Sequence, residues 1–216
     1  MGAIARSAAN NITTSGVFTS SAIANSSVTG ITVLANASDG ITLISSQTAS
    51  ASATISFTTS LDSTYKAYKF VFVNIHPATD DVGLQFNMST DGGSNYNVTK
   101  TTTAFRSIHD EADTDPSLGY RTTNDLAQST AFQVLHPNLG FDNDQQASGE
   151  LTLYNPSSTT YVKHFISRVE SYTSDNYSQE FYIAGYGNTT SAVNAIQFKM
   201  SSGNIDDGKI YLYGIK

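Results

Sequence analysis

Cysteine is absent from this 216-residue chain, which excludes disulfides and every metal site built on thiolates. Tryptophan is missing as well, and there are only four prolines. Charge is scarce: Lys and Arg number 11 against 18 Asp and Glu, for a net charge of −7. A nucleic-acid binder would show a basic stripe to neutralise phosphates, and this balance excludes one. It equally disfavours an anionic membrane surface. No apolar run approaches the roughly 20 residues that cross a bilayer, so no membrane insertion is expected. Arg6 stands alone before a polar stretch, Ser7 to Thr14. No signal peptide is therefore expected, and the chain reads as made inside a cell and released by lysis.

Ser, Thr, Ala and Asn supply the polarity instead. Residues 1–60 carry only Arg6 and Asp39 as charges and no proline. Residues 1–40 read as an extended N-terminal arm, with Val17, Phe18, Ile23, Val28, Ile31 and Val33 as its candidate contacts. Two readings stand. One is a flexible tether, since small polar residues bury too little to offset ordering entropy. The preferred one is a strand donor ordered by partner subunits, because the charge and proline typical of disorder are lacking.

From residue 41 the pattern turns to period 2, which predicts strands. Ile55 and Phe57 alternate with polar residues, as do Leu84, Phe86 and Met88, then Leu151 and Leu153, Phe181 and Ile183, Ile196, Phe198 and Met200, and Ile210 and Leu212. Tyr68, Phe70 and Phe72 interleave with Val71 and Val73, which predicts a strand buried on both faces. Tyr161–Glu170 fits helical spacing through Val162, Phe165, Ile166 and Val169, but its β-branched and aromatic residues favour a strand. Asp91-Gly92-Gly93 is a hairpin signal. The fold class is all-β: a jelly-roll-like antiparallel β-sandwich over residues 41–216, preceded by the arm.

Chemistry is thinly marked. Asp110, Glu111, Asp113 and Asp115 crowd an acidic loop over 109–125, which also holds Tyr120; Asp142, Asn143 and Asp144 lie in a second polar loop over 138–147. Such loops in a β domain are candidate binding surfaces. The acidic run offers oxygen donors for calcium but lacks the EF-hand spacing, so a solvated loop is the simpler reading and no metal is assigned. His76, His109, His136 and His164 are far apart, and His76-Pro77 and His136-Pro137 are expected at strand ends. No G-x-S-x-G, P-loop, G-x-G-x-x-G or H-E-x-x-H occurs. Gly185-Tyr186-Gly187 leads into no helix and reads as a strand bend or loop. Twelve tyrosines could supply contact area at low rotamer cost, or simply finish the sandwich edges. No catalytic residue, metal ligand or cofactor site is assigned, and no enzyme is expected.

Several stretches carry a resemblance: Leu43 to Ser50, Phe86 to Tyr96, Gly149 to Ser158, and above all the closing block Phe198 to Ile215. Together they resemble a module of structural proteins in marine tailed bacteriophages, over about residues 40–216. The resemblance implies a jelly-roll-like sandwich, a homotrimer, a place on the virion surface, and no catalytic residues. It implies a tail-fibre-like or receptor-binding appendage, fixed to other virion proteins by its arm and meeting a host glycan or protein through the two loops. A capsid decoration protein stapling coat subunits is the alternative. A polysaccharide-degrading spike is a weaker one.

Overall fold

The structure is a computed structural model, and it describes residues 40–216. The six arm residues named above, Val17, Phe18, Ile23, Val28, Ile31 and Val33, lie outside them. Twelve strands follow in order: β1 (Ile41–Thr48), β2 (Ile55–Phe57), β3 (Ala67–Pro77), β4 (Val82–Ser89), β5 (Lys100–Asp110), β6 (Ser117–Tyr120), β7 (Gln133–Leu139), β8 (Ala147–Tyr154), β9 (Lys163–Tyr172), β10 (Tyr177–Gly187), β11 (Ala195–Met200) and β12 (Ile205–Ile215). No helix occurs among the described residues. All pairings are antiparallel.

The larger sheet runs β1-β12-β3-β8-β9-β10-β5-β6, the smaller β2-β11-β4-β7. With β5, β6, β9 and β10 set aside, the eight remaining strands in chain order pair as 1-8-3-6 and 2-7-4-5, which is the jelly roll. The expected jelly-roll sandwich is therefore present. Two inserted pairs, β5–β6 and β9–β10, extend one sheet beyond it.

Period 2 decides which side chains meet between the sheets. Phe70 and Phe72 on β3 face Phe198 on β11, with ring centroids 5.3 and 5.2 Å away. Phe57 and Phe86 lie around the same ring at 6.4 Å, and Phe86 meets Phe165 on β9 at 5.0 Å. All six rings are buried. The segment read as strand in preference to helix is a strand, β9, alternating buried Phe165, Ser167 and Val169 with exposed Ile166, Arg168 and Glu170.

Three local readings change. β3 buries one face only: Val73 is exposed and Val71 half-exposed, because no layer covers the outer face of the larger sheet among the described residues. The Asp91-Gly92-Gly93 turn is real, with positive φ at both glycines, yet it closes no hairpin. After one backbone bond, Val98 N–H to Met88 O, the chain crosses to the other sheet as β5. His76-Pro77 ends β3 as expected, but His136-Pro137 lies inside β7. Proline is tolerated there because β7 is an edge strand of its sheet. Similarly, Gly185-Tyr186-Gly187 ends β10 in unbroken register with Thr102, Thr101 and Lys100.

Candidate functional site

Loop 109–125 is a hairpin more than a loop: β5 runs to Asp110, and β6 returns from Ser117 to Tyr120 against Phe105–Ile108. Beyond β6 the chain continues along β5, with Arg121 N–H donating to Ala104 O and Thr102 N–H to Leu126 O. The 138–147 segment shortens to 140–146 between β7 and β8.

The acidic residues do not converge. The Asp110 carboxylate folds back on its own turn and accepts from Thr114 N–H at 2.7 Å, Asp115 N–H at 2.8 Å and the Thr114 hydroxyl. The Thr114 hydroxyl, with those N–H groups, pushes its pKa down to about 2. Asp113 pairs with His109 at 3.1 Å. Glu111 stands exposed at the tip. Among the described residues no group of acids and histidines could hold a metal. Tyr120 sits on β6 and donates to Asp125 at 2.7 Å. Asp142, Asn143 and Asp144 are exposed, and the Asp142 carbonyl contacts His76 Nε2 at 3.1 Å. The two loops do reach one end of the sandwich, beside the turn between β9 and β10: Gln145 Nε2 donates to Thr173 O at 3.3 Å, and the Tyr177 hydroxyl lies 3.4 Å from Asp115 Oδ2.

At that end the structure gathers a different set. Along β5 the inward positions are Thr102, Ala104, Arg106 and Ile108; along β10 they are Tyr177, Gln179, Phe181 and Ile183. Arg106 and Gln179 therefore belong to the inner face of the extension. β7, the last strand of the smaller sheet, packs over β9 and β10, and a cavity of about 350 Å³ opens where this cover stops. Arg106, Arg121 and Gln179 form its polar floor, with Asn138, Tyr177, Asp115 and Asp175 around it. Its size falls within the range of about 300–1,000 Å³ usual for small-molecule sites.

The polar groups here are underused. Arg106 Nη1 donates to Gln179 Oε1 at 2.8 Å. Among the described residues neither Arg106 nor Arg121 has a carboxylate within salt-bridge distance. Burial, then the Arg121 guanidinium, holds the Arg106 pKa below the ordinary arginine value. Among the described residues three buried side-chain nitrogens lack a hydrogen-bond partner: Arg121 Nε, Gln179 Nε2 and His136 Nδ1. The side chains of the first two line the cavity, although these two nitrogens themselves are sealed from water behind its wall. The third lies behind Gln179, whose backbone carbonyl meets His136 Nε2 at 3.1 Å. Buried polar groups are normally satisfied, so three orphans around one cavity mark it out.

Of the residues singled out in the sequence, only Asp115 lines this cavity. Arg121 and Asn138 fall within the two loops named from the sequence but were not singled out there, and Arg106, Gln179, Tyr177 and Asp175 were not foreseen. One signal was available: Arg106 takes an inward place in the alternation Thr102, Ala104, Arg106, Ile108, in a chain with only four arginines. Comparison with protein-family models, curated proteins and solved structures finds no match.

Proposed function

We propose that this chain is a non-enzymatic structural protein of a bacteriophage virion, a tail-fibre-like or receptor-binding appendage held to the particle through its N-terminal arm. The jelly-roll body stands on the virion surface as a homotrimer and presents one end to the host. The observation that carries the reading is the cavity at that end. It is polar, contains two guanidiniums with no carboxylate in salt-bridge range among the described residues, and is flanked by the hairpin of 109–125 and the loop of 140–146. Such an arrangement suits recognition of a surface glycan or protein by loops on a rigid scaffold. The low content of Lys and Arg also supports the reading, since little of the surface would hold released nucleic acid.

Electron microscopy of intact particles tests it. Copies confined to the tail are the expected result. Copies in the hundreds covering the head would overturn the appendage reading in favour of a capsid decoration protein. Deletion of residues 1–38 is expected to leave a folded sandwich that no longer joins the particle. Shortening of a host surface polysaccharide by the purified chain would overturn the non-enzymatic part.

A further inference from the structure

The guanidiniums of the cavity restrict what can fill it. Arg106 and Arg121 line it, are only half-buried, and can only donate hydrogen bonds, while Gln179 Oε1 is already taken by Arg106. A partner for them must present acceptor oxygens. The two guanidiniums add positive charge that no carboxylate within salt-bridge range offsets among the described residues, and half-burial makes that charge costly to leave unpaired. The floor thus asks for an anionic, planar acceptor, and a carboxylate matches the guanidinium fork in two parallel hydrogen bonds.

The rim asks for the opposite. Asp115 and Asp175 carry acceptor oxygens there, and the Tyr177 hydroxyl is within 3.4 Å of Asp115 Oδ2. Asn138 can give or take a hydrogen bond. A ligand with charge on all sides, such as phosphate or sulfate, would meet those carboxylates as well as the arginines. A molecule with a carboxylate at one end and hydroxyl donors at the other satisfies both.

We propose that this cavity binds a carboxylated sugar, a hexuronic acid unit of an acidic surface polysaccharide. Its carboxylate lies on Arg106 and Arg121, and its hydroxyls lie against Asp115, Asp175 and Asn138. The inference rests on the receptor-binding reading and names the ligand class for the same site.

The test is titration of the full chain with glucuronate, followed by calorimetry or ligand-observed NMR. Saturable binding of glucuronate is expected, and glucuronamide, with the same hydroxyls but no charge, should bind about tenfold more weakly or worse. Arg121→Gln should lose about the same factor. Gln179→Glu should lose as much, since it places a carboxylate of the protein's own beside Arg106. Thermal melts establish that the variants are folded. If either is not, the comparison of glucuronate with glucuronamide on the unaltered chain still decides. Equal binding of the two sugars, inorganic phosphate or alanine binding as well as glucuronate, or no binding of glucuronate would each overturn the proposal. A tail location on the particle combined with such a negative titration would remove the ligand class and leave the appendage reading standing.

Discussion

His136 Nε2 lies 3.1 Å from the backbone carbonyl of Gln179, and so joins β7 of one sheet to β10 of the other. The carbonyl can only accept, so Nε2 carries the proton and Nδ1 is left as a buried acceptor without a donor. The Ser171 hydroxyl is 3.0 Å from the same Nε2, and Phe181 presents its ring at 5.4 Å.

Burial holds the His136 pKa down to about 4, with the nearby Arg106 charge adding to the effect. A folded pKa below the ordinary value near 6.5 means that the unfolded chain binds more protons between those limits, so stability falls as pH drops from about 6.5 to 4. The full linkage amounts to about 3 kcal/mol at most. His136→Gln should flatten that part of the profile. Denaturant melts at several pH values check it, and an unchanged slope in the variant would show that another group is responsible.

Lys100 is fully buried on β5, with Nζ 2.6 Å from Asn87 Oδ1 and 2.8 Å from Val98 O. Burial lowers its pKa to about 7. The cost of the buried charge is complete below pH 7 and fades towards 10.5, so stability gains with rising pH in this window. Lys100→Met should lose this gain, falling behind the parent by a few kcal/mol on the order of the linkage between pH 7 and 9.5. Lys163, also depressed by burial, is common to both proteins and cancels in the difference.

Phe198 touches aromatic rings from both sheets, so Phe198→Ala should remove about 3–5 kcal/mol of folding free energy. A loss below about 1 kcal/mol in urea titration would mean that the two sheets re-close around the gap.

Gly149 on β8 has no room for a side chain: an added Cβ would lie 2.3 Å from Arg168 O and 2.7 Å from Val169 Cα, both backbone atoms of β9. Gly149→Ala should cost about 1–3 kcal/mol and lower amide protection along β8 and β9. Gly119→Ala on β6, where nothing lies within 4 Å, is the matched control and should be neutral.

The strands that form the jelly roll's core were legible wherever large apolar residues alternate, as in Leu84, Phe86, Met88 or Ile196, Phe198, Met200. β5 escaped because its inward positions are Thr102, Ala104 and Arg106, which mute the contrast between the faces. β7 escaped because His136 and Pro137 interrupt an otherwise apolar stretch, although the edge position accommodates the proline and the fold buries the histidine. Val71 and Val73 misled in the other direction, since β-branched residues suit an exposed strand face as well as a core. The acidic run 110–115 drew attention by its density, yet Asp110 spends its carboxylate on its own turn. The cavity is assembled from β5, β7, β10 and the chain after β6, so its members stand up to 73 residues apart, as Arg106 and Gln179 do. Nothing local in the sequence links them.

The first strand of the domain lies against the last, with Ile41 opposite Ile215. Such a pairing forms only after most of the domain's length has been closed into a loop, so the chain must pay a large part of its entropy before this contact rewards it. Folding should accordingly be slow, and a contact made so late in folding can be held shut by a high barrier once made. A domain without a single cross-link would then owe its persistence to the rate at which its ends part.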